Sequence, residues 1–208
     1  MTARAPLALA IRDRFVRRTA AADAALIVAG SLVMAATAQW SLPLPFTPVP
    51  ITGQTLGVLL VGAALGARRG AGSILLYLLQ GAAGLPFFAG GTGGLPVLAG
   101  PTGGYLIGCV PSAYVVGLLA ERGFDRRFRS AVVAFATGEA VVYLFGVFWL
   151  ARFVGSERAL AAGLWPFLPG TVVKAALAGA ALSATWAWIR RRDGGRAARG
   201  ERGVASGS

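Results

Sequence analysis

Two long uncharged stretches dominate the hydrophobic pattern of this chain. No charged residue occurs from 24 to 67, and none occurs from 70 to 120. About 20 apolar residues suffice to cross the ~30 Å hydrocarbon core of a bilayer, so each stretch is too long for one membrane-spanning helix. The pattern therefore predicts that each stretch turns back within itself.

Prolines and glycines indicate where these turns lie. The prolines between Pro43 and Pro50 exclude a helix there, because proline lacks an N–H and restricts the residue before it. Prolines and glycine pairs interrupt the second stretch between Gly84 and Gly104. These breaks predict six membrane-spanning helices. The predicted segments are 24–40, 51–67, 72–83, 104–120, 130–151 and 164–189.

The composition supports a membrane protein with one domain. Of the 208 residues, 56% are hydrophobic and only 13% are charged, whereas a soluble domain carries about 25% charged residues. We therefore expect an all-α integral membrane protein whose six-helix domain covers residues 23–192. A basic cytoplasmic segment, 1–22, would precede it, and a disordered basic tail, 193–208, would follow it.

The positions of lysine and arginine predict the orientation. Seventeen of the 20 basic residues fall in the two tails and in the loops after the second and fourth segments. Basic residues accumulate on the cytoplasmic side, so both termini should be cytoplasmic in a bacterial cytoplasmic membrane. Short basic clusters between uncharged stretches do not resemble a nucleic-acid surface. We expect membrane lipid, and not nucleic acid, to meet the net charge of +12.

Several classes of chemistry lack the residues they need. The chain has no histidine and a single cysteine, Cys109, which argues against zinc sites, disulfides and Ser–His or Cys–His catalysis. It also lacks a phosphate-binding GxxxxGK[ST] motif, which excludes a pump that hydrolyses ATP itself. No cofactor, metal or catalytic residue is expected. A binding or transport protein remains, with a structural membrane scaffold as a further alternative.

Glu139 and Lys174 are the ionisable residues deepest in the predicted spans. A lysine in the centre of a membrane costs about 2.5–3.5 kcal/mol and usually faces an interior cavity with a partner. The two residues could pair and join two helices, or Lys174 could face an anion that enters from outside. A lipid-modifying enzyme with Glu139 as acid or base is an alternative from a different class.

Two outward loops contain residues that could form a binding pocket. The loop 84–105 combines many glycines with apolar residues such as Phe88, which is more typical of a pocket or lid than of a flexible linker. The loop 46–55 carries prolines together with Thr52, Gln54 and Thr55, whose neutral polar groups suit a neutral ligand head.

Small residues on the first segment have two interpretations. Ala21, Ala25 and Ala29 recur every fourth residue and so share one helix face. This face could pack within the monomer or dock onto another membrane subunit, and the spacing alone favours internal packing.

Five motifs together resemble the BioY family, the substrate-binding S components of energy-coupling-factor biotin transporters. The resemblance covers about residues 24–189. The motifs are PxPxTxQTLGVLL at 48–60, GLPxF at 84–88, GPTGGYLIG at 100–108, GExVVYLFGVFWL at 138–150 and FLPGxxxKAALA at 167–178.

The resemblance implies a six-helix monomer that binds biotin from outside, alone or joined to a transmembrane coupling protein and two cytoplasmic ATPases. It implies that Lys174 forms a charge-assisted bond to the biotin carboxylate or acts indirectly beside the ureido group. It also implies that Ala21, Ala25 and Ala29 dock to the coupling protein. An S component for another small vitamin, such as thiamine or riboflavin, is the alternative within this class. The expected substrate-binding residues are Lys174, Thr171, Tyr105, Thr102, Gly103, Gly104, Gly90, Gly91, Phe88, Gln54, Thr52, Glu139 and Tyr143.

One position departs from the family pattern. Members commonly have aspartate after the PG pair, whereas this chain has Thr171. A threonine can hydrogen-bond but cannot neutralise Lys174. The hypothesis that follows is that Glu139 supplies the missing negative charge, or that Lys174 stays unpaired until the ligand carboxylate arrives.

Overall fold

The computed structural model describes the backbone of residues 19–205 and the side chains of residues 19–189. The described chain is mostly helical. The basic N-terminal segment predicted for 1–22 lies largely outside the described residues, as do the last three residues of the predicted tail. The helices are α1 Ala20–Ala38, α2 Gln54–Leu65, α3 Ala67–Ala82, α4 Leu95–Ala99, α5 Gly103–Glu121, α6 Phe128–Val154, α7 Ser156–Gly163 and α8 Leu168–Ala205.

Apolar character marks four helical stretches of the described chain as long enough to cross a membrane. A fifth apolar helix, α2, is shorter. The expectation of six spans is thus supported for four of them by length and composition, and the orientation of the termini stays a prediction. The four stretches are Ala20–Ala38, Gly103–Glu121, Phe128–Val154 and Ser156–Ile189.

The proline-rich loop forms a β-hairpin within the mostly helical chain, an element that the sequence pattern did not predict. Strand β1, Ser41–Leu44, pairs antiparallel with β2, Thr47–Thr52. Prolines exclude a helix, but they are compatible with a two-stranded ribbon in which each strand has a free edge. The register is irregular around Pro43, and the Thr47 hydroxyl anchors the hairpin by donating to the Ala162 carbonyl at 2.8 Å.

Two predicted segment boundaries are wrong. The second segment was expected to continue to residue 67, but the helix breaks at Gly66, whose φ of +82° suits glycine alone. Helix α3 then starts at Ala67 and is longer than the predicted segment 72–83. Glu121 stabilises the N-terminus of α3, because one of its carboxylate oxygens accepts a hydrogen bond from the backbone N–H of Ala67 at 2.9 Å.

The C-terminal part also differs from the prediction. The expected segment 164–189 is preceded by the separate helix α7, and a short 3₁₀ turn, Trp165–Phe167, leads into α8. Helix α8 continues to Ala205, where a disordered tail was expected from residue 193. Alanine and arginine favour helix, and no proline interrupts this stretch.

Helix α5 lies at the centre of the bundle and packs against α2, α3 and α6. Close approach is possible because glycines face its neighbours. A Cβ added to Gly117 would lie 2.3 Å from the backbone nitrogen of Ala67 and 2.5 Å from its Cα. Backbone atoms cannot rotate away, so Gly117 permits the contact between α5 and the α2–α3 junction.

The turn between α5 and α6 fixes α8. Asp125 is buried, and its carboxylate accepts the indole N–H of Trp186 at 2.6 Å. The guanidinium of Arg126 lies 4.9 Å from the centre of the Trp186 ring. Burial raises the pKa of Asp125 above its ordinary value, although the bond to Trp186 and the charge of Arg126 act in the opposite direction.

We expect Gly117→Ala to destabilise the bundle by about 1–3 kcal/mol, because the added methyl group overlaps backbone atoms. Gly72→Ala is the matched control, since its Cβ would meet the Ile27 side chain at an ordinary 3.6 Å. Thermal unfolding of the detergent-purified protein, followed by tryptophan fluorescence, compares the two. Equal melting temperatures for both variants would show that α5 does not depend on this contact.

Candidate functional site

A cavity lies between the β-hairpin, the loop 84–102 and helices α2, α5, α6 and α8. It contains about 630 Å³ of space free of protein atoms, counting its open mouth and the solvent there. Its walls are mostly apolar and aromatic. The expected site residues that line it are Thr52, Gln54, Phe88, Thr102, Tyr105, Tyr143 and Lys174.

Lys174 provides the cationic group in the cavity wall. It lies in the second turn of α8, and its side chain is partly buried. Its Nζ donates a hydrogen bond of 2.8 Å to Thr55 Oγ1 of α2. A hydroxyl positions the ammonium without neutralising it, so the Lys174 ammonium is available to an anionic ligand group.

Glu139 does not form the expected ion pair with Lys174. The two groups influence each other electrostatically, but no N–O distance of 4.0 Å or less joins them among the ion pairs of the described residues. Glu139 is only 1% exposed, and neither carboxylate oxygen has a hydrogen-bond partner. The interpretation that a direct Glu139–Lys174 bond joins α6 and α8 is therefore wrong.

Thr171 lies behind the cavity wall instead of lining it. Its hydroxyl and that of Tyr143 are 2.6 Å apart, and either can be the donor. Thr171 is one helical turn before Lys174, so it orients Tyr143 while Tyr143 itself reaches the cavity. Thr171 therefore positions an aromatic wall of the cavity.

A polar network occupies the α2 side of the cavity. Gln54 donates to Tyr77 Oη at 2.7 Å and accepts from Thr52 Oγ1 at 3.1 Å. Tyr77 in turn packs edge-on against Phe88, with ring centres 5.5 Å apart. Phe88, expected on a loop, is fully buried because Gly81 leaves room for its ring. The network holds Gln54 where a ligand would meet its amide.

Tyr105 connects the cavity to the segment before α8. Its hydroxyl donates to the Gly163 carbonyl at 2.7 Å, and its ring meets that of Tyr143 edge-on with centres 6.5 Å apart. Gly163 and Gly146 leave space for the Tyr105 ring. The aromatic walls from α5 and α6 therefore support each other.

The four expected glycines are near the cavity but do not line it. Gly103 and Gly104 are buried at the start of α5, where they allow Trp149 of α6 to approach. Gly90 and Gly91 are exposed, with φ of +66° and +74°. Direct contact between these glycines and a ligand stays a prediction, while close packing accounts for the first pair.

Sequence reasoning did not include several wall residues among the expected site. Thr55 was expected among the neutral polar groups of the loop 46–55, although not as a substrate-binding residue. The remainder are apolar residues that only the tertiary fold brings together. They are Val49, Pro50, Ala89, Val97, Leu106, Cys109, Val142 and Phe167.

The small-residue face of α1 points away from the bundle. Ala21, Ala25 and Ala29 are exposed, whereas Gly30 and Met34 are buried. The internal-packing interpretation of the three alanines is therefore wrong. Their surface is available to lipid or to another membrane subunit.

Comparison with known proteins identifies the family. The model of the BioY family matches residues 10–191. This chain belongs to the BioY family. One solved structure, described as the S-component for biotin from an ECF-type ABC transporter, matches with a TM-score of 0.72 at 25% identity, over 81% of this chain and 94% of that one.

Relatives named as biotin transporters are similar to this BioY-family chain. The Biotin transporter BioY of Rhodobacter capsulatus is 43% identical, over 75% of this chain and 85% of the relative. The Biotin transporter BioY of Rhizobium etli is 42% identical, over 65% of this chain and 76% of the relative. The Biotin transporter BioY of Thermotoga maritima is 39% identical, over 74% of this chain and 85% of the relative. These relatives are named as transporters, which agrees with the expectation of a binding or transport protein.

We expect Tyr105→Phe to lower stability by about 1 kcal/mol, because the Gly163 carbonyl loses its hydroxyl donor. Tyr114→Phe on the same helix is the control, since Tyr114 is 42% exposed. Melting temperatures of the two purified variants test this. Equal melting temperatures for Tyr105→Phe and Tyr114→Phe would show that the hydrogen bond from Tyr105 to Gly163 does not stabilise the cavity wall.

Proposed function

We propose that this chain is a BioY-type S component that binds biotin at the outer face of a bacterial cytoplasmic membrane and takes part in its uptake. The observation that carries the proposal is the Lys174 ammonium, which borders an otherwise mostly apolar cavity and bonds there to a neutral hydroxyl. Family membership and the named biotin transporters support the same assignment.

The cavity matches the chemistry of biotin at both ends. Biotin has a carboxylate on an apolar tail and a neutral ureido head fused to a thioether ring. Lys174 suits the carboxylate through a charge-assisted hydrogen bond. Gln54 and Thr52 offer neutral donors and acceptors, and Phe88 and Tyr105 offer flat apolar surfaces. The same cavity can therefore bind the charged tail and the uncharged rings.

The pocket would open outward. The hairpin and the loop 84–102, which border the cavity, contain no lysine or arginine. The opposite end of the bundle carries Arg68, Arg69 and the basic turn near Arg126. The positive-inside rule then puts the basic end and both termini in the cytoplasm.

Six spans are consistent with this orientation if α2 and α3 also cross. At ~1.5 Å per residue they extend about 18 and 24 Å, less than the ~30 Å core. Helix α2 is largely buried within the bundle, so it requires little lipid-facing length. Local thinning of the bilayer or protein cover would accommodate the difference.

Gly90, Gly91, Gly103 and Gly104 would shape the cover of the site. Gly90 and Gly91 follow Ala89, and Gly103 and Gly104 follow Thr102. Ala89 and Thr102 both line the cavity. Positive φ at Gly90 and Gly91 bends the loop, and small residues at its base let Thr102 remain close to α6. The loop 84–102 would then close over the bound rings.

The exposed alanines of α1 would dock the chain to a transmembrane coupling protein that carries two cytoplasmic ATPases. Ala21, Ala25 and Ala29 lie on one exposed face, and small side chains allow close helix–helix approach within a bilayer. The solved relative comes from an ECF-type ABC transporter, which supports this partner.

Lys174→Met should weaken biotin binding by roughly 10- to 150-fold, since a bond to a charged group contributes about 1.5–3 kcal/mol. The affinity for biotin amide, which lacks the carboxylate, should change less than threefold in the same variant. Isothermal titration calorimetry of both ligands on both proteins forms a double cycle. An equal loss for acid and amide would contradict a role of Lys174 in binding the carboxylate.

Ala25→Trp should abolish co-purification with the coupling protein and ATPases while biotin binding stays within twofold of wild type, because the indole prevents close approach of a partner helix. Ala24→Trp is the control, since position 24 is also exposed but lies ~100° around the helix. Retained assembly of Ala25→Trp would contradict docking through this face. Loss of both assembly and biotin binding would also contradict it, because it would indicate that the substitution disturbs the fold of the monomer.

A further inference from the structure

Glu139 is a buried carboxylate without a partner. It is 1% exposed in the middle of α6, and both of its oxygens lack a hydrogen bond. An ion removed from water without compensation costs several kcal/mol. A residue retained under these conditions requires either a nearby opposite charge or a bound proton.

Four groups, one from each of four helices, interact electrostatically with Glu139. These groups are Thr55 of α2, Cys109 of α5, Tyr143 of α6 itself and Lys174 of α8. Thr55, Cys109, Tyr143 and Lys174 all line the cavity as well. Glu139 itself does not line the cavity, but these four residues connect it to the cavity, and Lys174 is the one cation among the four.

The charges balance only while the cavity lacks an anion. An ammonium at Lys174 and a carboxylate at Glu139 would balance each other's charge at a distance. Entry of a ligand carboxylate adds a second negative charge that competes for the same ammonium. Two carboxylates near one cation in an apolar site repel each other, which favours protonation of one of them.

We propose that Glu139 takes up one proton when a ligand carboxylate binds to Lys174, so that ligand binding and proton binding are coupled at this site. The inference rests on the proposed function, because it requires an anionic ligand at Lys174. The proton comes from solvent and converts the Glu139 carboxylate to a neutral carboxylic acid. Ligand release returns the proton to solvent.

The coupling explains why an acid can replace the aspartate of the family motif at a different place. Glu139 does not compete with the ligand by a direct bond to Lys174, since the ammonium bonds to Thr55. It acts through its charge, which keeps Lys174 charged in the free protein and disappears when the ligand arrives. Selection for an anionic tail follows, because a neutral ligand causes no such change.

The test is calorimetry with biotin on the purified full chain near pH 7.5, in buffers of different ionisation enthalpy. A simple carboxylic acid ionises near pH ~4, so the ligand itself contributes no proton change. We expect uptake of about one proton per biotin. Affinity should fall by up to about tenfold per unit rise of pH, as reciprocal linkage requires.

Two controls identify Glu139 as the site. Biotin amide on the wild-type protein should bind without proton uptake, and this comparison requires no variant to fold. In Glu139→Gln, which retains shape without an ionisable group, biotin should bind with no proton uptake and with an affinity independent of pH between 7 and 9.

The outcomes separate this inference from the proposed function. Absence of biotin binding would overturn both. Biotin binding with a heat that does not depend on the buffer would overturn the proton coupling alone. Proton uptake with biotin amide, or full uptake in Glu139→Gln, would likewise overturn the assignment to Glu139.

Discussion

The site depends on one buried cation that a neutral group holds in place. Lys174 donates to the Thr55 hydroxyl at 2.8 Å, and no carboxylate within the described residues lies within ion-pair distance of it. A lysine in a membrane bundle is costly without a partner, so the bond and the more distant Glu139 charge together keep it at the cavity. An anionic ligand can then complete a pair that the protein itself leaves open.

The fold brings both halves of this contact together through close packing. Thr55 lies on α2, directly after the proline-rich hairpin, whereas Lys174 lies in the second turn of α8. Helix α5 keeps α2, α3 and α6 close because its glycines offer no side chains at the contacts, as at Gly117. The Asp125–Trp186 bond anchors α8 at the other end of the bundle. Rigid elements thus position the two polar groups and the aromatic walls around them.

Much of this architecture follows from sequence patterns, because long apolar runs and their breaks reflect the bilayer directly. Lys174, Gln54, Tyr105 and Phe88 were predicted for the site, and all line the cavity. The β-hairpin was missed because prolines exclude a helix without indicating which extended residues pair. The exposure of Ala25 and the separation of Glu139 from Lys174 depend on helix rotation and side-chain rotamers, which spacing alone does not determine. Gly103 and Gly104 illustrate the same limit, since their contacts are with Trp149 and not with the cavity.

The central claim is that a pocket built around Lys174 binds biotin. The most direct measurement is equilibrium dialysis of labelled biotin against the purified wild-type chain, with unlabelled biotin, thiamine and riboflavin as competitors. The account predicts one saturable site per chain with a dissociation constant below about 1 μM, displaced by biotin and by neither other vitamin. A dissociation constant weaker than this, or displacement by thiamine or riboflavin, would contradict it.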